Sequence, residues 1–318
     1  MTRMLGRTAS GLFWMMRYIE RLENTARLID VGHRMSLTRS RSAKSEWESV
    51  LTTAGVADIY AAENYALLTS QVVDFLIRHP ANPNSLLSSL TRARENARAT
   101  RTALTRDVWE AVNGSYMELK ALFEGAVDND MAELPATLAE VKRAAALIHG
   151  TVQGTMLRND VYRFAGLGKM VERVDNTARI LDTKYYVLLP STASVGSSLD
   201  RVQWEMILRS ASAERSFRWL HGGRVTPADI VDFLVKDTRL PRSIAYSYTR
   251  ITQLLAALES EYARRVPAHD LAEAHLAELE ASSHTTIIRD GLHEFLQAVI
   301  DRNAALSDQI ETDFRFHG

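Results

Sequence analysis

Two stretches of the chain carry acids, an amide and a guanidinium at the same spacing. Residues 18–30 read YIERLENTARLID, and residues 170–182 read MVERVDNTARILD. The identical pairs are Glu20/Glu172, Arg21/Arg173, Asn24/Asn176, Thr25/Thr177, Ala26/Ala178, Arg27/Arg179 and Asp30/Asp182. We call these two stretches the motif helices, because their apolar residues recur at helical spacing.

Each motif helix presents one row of polar groups. An α-helix turns about 100° per residue, so residues three, four and seven apart share a face. The first row is Glu20, Glu23, Asn24 and Arg27, and the second is Glu172, Asp175, Asn176 and Arg179. Arginine pairs with carboxylate or phosphate through two parallel hydrogen bonds. We predict that the two rows line a shared cleft for a polar or charged ligand.

Catalysis in such a cleft would need a general base, for which Glu20 and Glu172 are the candidates. Two alternatives need no ligand. The pairs Glu23/Arg27 and Asp175/Arg179 could lie on a solvated face, where each is worth roughly 0.3–0.5 kcal/mol. The rows could also form a buried polar network that joins the two halves.

The acids of the motif helices could bind a metal, as in carboxylate bundles. Di-iron bundles use a Glu-x-x-His pair, and neither motif helix has a His three residues after a Glu. The histidines His149, His221, His284 and His293 show no metal-ligand spacing among themselves. We therefore predict no metal ligand and no cofactor, while oxygen-only binding of a hard cation such as Mg²⁺ stays open.

A basic row distinguishes the first half of the chain. Arg94, Arg98 and Arg101 follow i, i+4, i+7 spacing, and no arginine occupies the matching positions of the second half. We predict that Arg94 and Arg98 converge with the acids of the motif helix on one cavity. Cross-helix pairing, a pocket for phosphate or carboxylate, and a solvated face are the three alternatives.

The similarity between the halves continues beyond the motif helices, in the same order. Trp47-Glu48 recurs as Trp204-Glu205, residues 72–76 recur as 230–234, and Ser85 recurs as Ser243. The offset grows along the chain, as expected when loops gain residues and helices do not. We predict two pseudo-symmetric repeats, residues 1–159 and 160–318, packed as a single compact bundle.

The sequence predicts an all-α fold, in which helices carry the polar rows. Glycine and proline are few, and apolar residues recur every three or four positions with no convincing alternating run. Breaks are predicted at Asp128–Asp130 and between 190 and 198. The predicted helices lie near 8–38, 44–54, 57–78, 85–105, 107–126, 134–158, 160–188, 200–219, 227–236, 241–265, 268–280 and 284–314.

Composition excludes several classes of protein. A net charge of −1 gives no reason to expect nucleic acid or an anionic membrane as a partner. The absence of cysteine excludes disulfides and thiolate chemistry. The chain has no P-loop, Rossmann glycine pattern or GxSxG elbow. With no apolar stretch long enough to span a bilayer and no signal peptide, we expect a cytoplasmic protein.

The chain resembles the Alpha-E domain family of bacterial α-helical proteins. The resemblance rests on the repeated ER and NTAR segments, the opening residues 4–21, and Trp109, Glu110 and Asn113. It implies association with circularly permuted ATP-grasp ligases and transglutaminase-like proteins. The expected function is therefore an accessory binding or scaffold protein in a peptide or amide-bond-forming system. Its ligand would be a peptide or amino acid. An enzyme that uses the motif-helix Glu and Arg residues is the alternative.

Overall fold

The computed structural model describes residues 4–38, 43–63, 65–125, 131–187, 198–222, 226–283, 286–288 and 291–317. All regular secondary structure in these ranges is helical, so the predicted all-α class is confirmed. The breaks predicted at 128–130 and 190–197 lie outside the described residues. Among the described helices, none combines the length and apolar character that a bilayer crossing requires.

The chain divides into two compact units, Met1–Lys169 and Met170–Gly318. The predicted boundary between residues 159 and 160 coincides with the start of α8 (Asp160–Val187). The observed boundary lies farther along, inside that helix. The packing of both repeats as a single globule stays a prediction.

Four long helices form the body of the first unit. They are α1 (Gly6–Thr38), α5 (Leu86–Ala99), α6 (Arg106–Gly125) and α7 (Leu134–Thr155). Helix α1 contacts α5 and α7, and α6 contacts the same two helices. Two shorter helices pack against α1, namely α2 (Ala43–Thr53) and α4 (Thr69–Ile77), and α3 (Ala57–Ala62) packs against α2. The first motif helix, which is part of α1, is therefore surrounded by other helices.

In the described residues of the second unit, further long and short helices follow α8. They are α9 (Ser198–Ser210), α10 (Glu214–His221), α11 (Pro227–Lys236), α12 (Ile244–Tyr262), α13 (Pro267–Ala281) and α14 (Leu292–Asp313). Helix α13 contacts both α12 and α14. Helix α14 reaches the second motif helix, since Asn303 Nδ2 donates to the Val171 carbonyl at 3.0 Å.

Matching residues of the two halves cap matching helices. The Ser85 hydroxyl accepts the Ser88 N–H at the start of α5, and Ser243 accepts the Tyr246 N–H at the start of α12. Trp47 and Trp204 are both buried. These local likenesses agree with the duplication, while a pseudo-symmetric arrangement of the two repeats stays a prediction.

Several predicted helices are divided in the structure, and the one predicted over 284–314 is interrupted at Gly291, whose φ of 116° lies outside the helical region and which precedes α14. The helix predicted over 57–78 forms two helices, α3 and α4. Between them, the Tyr60 hydroxyl of α3 donates a hydrogen bond to the Ala66 carbonyl at 2.7 Å. The helix predicted over 200–219 is α9 and α10. There the chain turns at Ser212, whose φ of 54° is left-handed.

The turn at Ser212 is a Schellman motif, and a turn of the same kind ends α2 in the first half. Ala213 N–H donates to the Leu208 carbonyl, and Ser212 N–H donates to that of Arg209. In the first half, Val56 and Gly55 make the same two bonds to Leu51 and Thr52, and Gly55 has a φ of 68°. Glycine is the usual signal for this turn, so the serine hid the end of α9 from sequence analysis.

A close backbone contact inside the first unit provides a stability test. A Cβ added at Gly168 would lie 2.0 Å from the Phe13 carbonyl oxygen, so two backbones would have to move apart. We expect Gly168→Ala to lower the free energy of unfolding by about 1–3 kcal/mol, the usual cost of overpacking. Urea unfolding followed by circular dichroism measures this change.

Gly114→Ala is the matched control, because a Cβ at this position inside α6 meets nothing within 4 Å. It should raise the free energy of unfolding by roughly 0.5–1 kcal/mol, the helix-propensity gain of alanine over glycine. Equal effects of the two substitutions would contradict the close approach of α8 to α1.

Candidate functional site

The polar row of the first motif helix lies in the interior. Glu20 is fully buried, and Glu23 and Asn24 are only 6% and 5% exposed. These values exclude the solvated-face alternative for these three groups. The Asn24 Oδ1 atom is buried and has no hydrogen-bond partner among the described residues. An unpaired buried acceptor of this kind costs about 1–3 kcal/mol, a free energy that a hydrogen bond from a bound water or ligand would recover.

The guanidinium of each motif helix is held by an acid of its own helix. Arg27 Nη2 lies 2.5 Å from Glu23 Oε1, and Arg27 Nε donates to the same oxygen at 3.1 Å. In the second copy, Arg179 Nε donates to Asp175 Oδ2 at 2.8 Å. The predicted i, i+4 pairs therefore form in both motif helices.

Helix α7 brings a histidine to the acids of the first motif helix. His149 Nε2 lies 3.3 Å from Glu20 Oε2 and 3.5 Å from Glu23 Oε2. Both ring nitrogens are buried, and neither has a hydrogen-bond partner in the described part of the chain. Sequence spacing gave no signal for this contact, because His149 is on a different helix, more than a hundred residues from the acids.

These three side chains, which we call the Glu-Glu-His cluster, are of metal-ligating type. One ligand atom from each of Glu20, Glu23 and His149 lies within 4.8 Å of the others. It is the one such group found in the described ranges. Sequence analysis assigned no metal ligand here, since it searched for a histidine on the motif helix itself.

The second motif helix has different neighbours. Glu172 is buried, and Tyr248 of α12 lies within electrostatic reach of Asp175, Glu278 and Arg302. Burial raises the pKa of the Tyr248 hydroxyl, Arg302 opposes that rise, and Asp175 and Glu278 add to it. Arg302 of α14 lies 2.5 Å from Glu278, so its guanidinium is paired with an acid of α13.

The arginine of the ER pair anchors a turn in both units. Arg21 Nη1 donates to Asn84 Oδ1 at 2.9 Å, and Arg173 Nη1 donates to the Pro241 carbonyl at 3.1 Å. Each acceptor lies one or two residues before the serine that caps α5 or α12. Sequence analysis assigned neither arginine a role, although their identity in both copies was a signal.

The aspartate that ends each motif joins it to the last long helix of its unit. Lys142 Nζ donates to Asp30 Oδ2 at 2.8 Å, whereas Gln297 Nε2 donates to Asp182 Oδ2 at 2.6 Å. Burial alone would raise the pKa of Asp30, but hydrogen bonds from Lys142 and Arg34 outweigh it and hold the pKa below its ordinary value.

The three arginines of the basic row on α5 have different surroundings. Arg94 Nε donates to Asn113 Oδ1 at 2.9 Å, and its guanidinium lies over the Tyr116 ring. Arg98 is exposed, and Arg101 stacks on Trp109. The contacts of Arg94 described here are with α6, and its convergence with Arg98 on the motif acids stays a prediction.

An open cavity of about 280 Å³ lies on α4. Its lining residues are Tyr65, Ser70, Gln71, Asp74, Phe75, Arg78 and His79. Arg78 Nε donates to Asp74 Oδ1 at 2.7 Å, and the Oε1 atom of Gln71 is buried with no hydrogen-bond partner among the described residues. The cavity thus offers both charges and an amide.

The fold and the site define a class: an all-α protein with a buried Glu-Arg helix at the centre of its packing. The chain belongs to the Alpha-E family, described as a predicted alpha-helical domain with a conserved ER motif, which matches residues 4–314. The predicted family membership is therefore confirmed.

The chain is similar to uncharacterized proteins of mycobacteria. They include Rv2567 of Mycobacterium tuberculosis and Mb2597 of Mycobacterium bovis, each 26% identical over 77% of this chain. The match covers 29% of each relative, so the chain spans less than a third of their length. No solved structure matches the chain.

The lowered pKa of Asp30 predicts a pH-dependent contribution to stability. A carboxylate with a depressed folded-state pKa stabilises the protein above its ordinary pKa of 3.8, and this is lost as the pH falls through the folded value. Lys142→Met should therefore cost about 1 kcal/mol near neutral pH, a figure that allows for partial solvent screening. The deficit should shrink below about pH 4 in urea unfolding curves.

Arg34→Met is the control, because Arg34 contacts the same carboxylate but is 63% exposed. Its cost near neutral pH should be smaller, roughly 0.3–0.5 kcal/mol. A Lys142→Met deficit that stays constant from neutral to acid pH would show that the ion pair is not its cause.

Proposed function

We propose that this protein is an accessory binding protein of an amide-bond-forming system, working beside an ATP-grasp-type ligase or a transglutaminase-like protein. The kind of partner is the one that the resemblance to the Alpha-E family implies, and membership of that family supports it. The ligand would be a peptide or amino acid presented to the partner. The chemistry would then be the partner's.

The observation that carries this proposal is the pairing of the motif arginines. An enzyme of the alternative class would use Arg27 or Arg179 as an electrostatic clamp for substrate. Each guanidinium is instead bonded to the acid four residues before it. A guanidinium that is already hydrogen-bonded to an acid of its own helix has fewer N–H groups left to bind a substrate.

Surface features supply places for a partner and a ligand. Arg98 and Arg101 are exposed near Trp109, where acidic groups of a partner could reach them. The cavity on α4 offers the amide oxygen of Gln71, unpaired among the described residues, beside the rings of Tyr65 and His79, while its guanidinium and carboxylate are paired with each other. The mycobacterial relatives are more than three times as long as the matched region, which agrees with a module that works with other domains.

An enzyme is the second candidate function, and one contact favours it. The Glu20 carboxylate and the His149 imidazole are 3.3 Å apart in the interior, a pair that can exchange protons with a substrate. Among the described residues, the Glu-Glu-His cluster is the one place where ligand atoms of a histidine and two acids lie within 4.8 Å of one another. The first motif helix is therefore the place where acid-base chemistry would occur.

Reconstitution with a ligase separates the two functions. The purified chain would be incubated with ATP, Mg²⁺ and amino acids, with and without a circularly permuted ATP-grasp ligase from the same genome. We expect new amide products in mass spectra only when the ligase is present, and a larger yield with both proteins. Turnover by this chain alone, abolished in Glu20→Gln but kept in Glu172→Gln, would establish the enzyme instead.

Association between the two proteins is the second measurement. Arg98→Glu reverses an exposed charge, so helicity should be unchanged while affinity for the ligase falls at least about tenfold, or 1.4 kcal/mol. Arg106→Glu is the control, since Arg106 is exposed on the neighbouring helix and pairs with Glu110. If neither the ligase nor a transglutaminase-like protein binds the wild-type chain, the accessory role is wrong.

A further inference from the structure

We propose that the Glu-Glu-His cluster of the first unit is a binding site for one divalent transition-metal ion of the Mn²⁺, Fe²⁺ or Zn²⁺ type. Its ligands would be a carboxylate oxygen from Glu20, a carboxylate oxygen from Glu23 and Nε2 of His149. The site does not depend on the accessory role, and either could exist without the other.

The distances within the cluster fit ligands around an ion better than a hydrogen bond. An N–H···O hydrogen bond to a carboxylate is about 2.7–2.9 Å long. His149 Nε2 instead faces two carboxylates at 3.3 and 3.5 Å. Ligands bonded to one tetrahedral ion at 2.0–2.1 Å are separated by about 3.3–3.4 Å, which matches both values.

The other acid-imidazole pair provides an internal comparison. In the second unit His293 Nδ1 lies 2.6 Å from Asp182 Oδ1, the separation of a direct charge-assisted hydrogen bond. Both pairs join a motif helix to the last long helix of its unit. The two distances from His149 Nε2 to its carboxylates are therefore longer than the distance from His293 to Asp182.

Burial provides the second, independent observation. Both nitrogens of His149 are inaccessible to solvent and without a hydrogen-bond partner among the described residues, and Nε2 is directed at the two carboxylates. A buried imidazole is normally satisfied by protein or water. A metal bond to Nε2 would satisfy the atom that faces the acids.

The donor set selects the class of ion. Imidazole favours Zn²⁺, Fe²⁺ and related ions, whereas Mg²⁺ and Ca²⁺ prefer oxygen ligands alone. Arg27 bonds Glu23 through Oε1, while Oε2 faces the imidazole, so the guanidinium orients this carboxylate as a second-sphere group does. The mixed set thus favours Mn²⁺, Fe²⁺ or Zn²⁺ over Mg²⁺.

The full-length chain, stripped of metal with a chelator, would be titrated with Mn²⁺, Zn²⁺ and Mg²⁺ in separate experiments. Calorimetry and elemental mass spectrometry of dialysed protein measure affinity and stoichiometry. We expect one equivalent of Mn²⁺ or Zn²⁺ per chain and at least about tenfold weaker binding of Mg²⁺. Binding of Co²⁺ should give a visible absorption spectrum that changes when the nitrogen ligand is removed.

His149→Ala and Glu20→Gln should each weaken Mn²⁺ or Zn²⁺ binding at least about tenfold, since even second-sphere changes cost this much. His293→Ala is the matched control and should leave affinity and stoichiometry unchanged. Circular dichroism checks that each variant is folded, and Glu20→Gln keeps the shape of the side chain if His149→Ala does not fold. The proposal is overturned if the wild-type chain binds no ion, or if both ligand variants bind as it does.

Discussion

The architecture of each unit depends on a buried helix with polar side chains, which hydrogen-bond to neighbouring elements at two positions. In the first unit, Arg21 holds the turn before α5, and Asp30 holds α7 through Lys142. In the second, Arg173 and Asp182 make the equivalent contacts with the turn before α12 and with α14. A buried charge is tolerated only with partners, so these bonds restrict which helix can pack on each side.

The two copies keep this framework and differ in what they place beside it. The acids of the first copy meet His149, whereas in the second copy Tyr248 lies within electrostatic reach of both Asp175 and Arg302. A guanidinium would repel a metal ion that an imidazole would bind. The two halves thus share the contacts that hold each motif helix in position and differ in the side chains that the neighbouring helices supply.

Helical periodicity predicted the elements well, since α1, α6, α7 and α11 have the expected type and nearly the expected bounds. It failed where a turn is made by a residue of ordinary type. Ser212 and the loop after Tyr60 divide predicted helices because hydrogen bonds close them, and periodicity does not detect hydrogen bonds. The motif acids were identified from the repeat, but His149 was not. Its role depends on which helices pack together, and a single sequence does not contain that information directly.

The left-handed backbone conformation of Ser212 has a consequence for the stability of the second half. Gly55 adopts its turn without strain, whereas Ser212 keeps the same turn against a backbone preference of about 1–2 kcal/mol. The bonds of Ala213 and Ser212 to the preceding helix must outweigh that cost. The second half therefore makes the same bend without a glycine, and a glycine at this position would make the turn free of backbone strain.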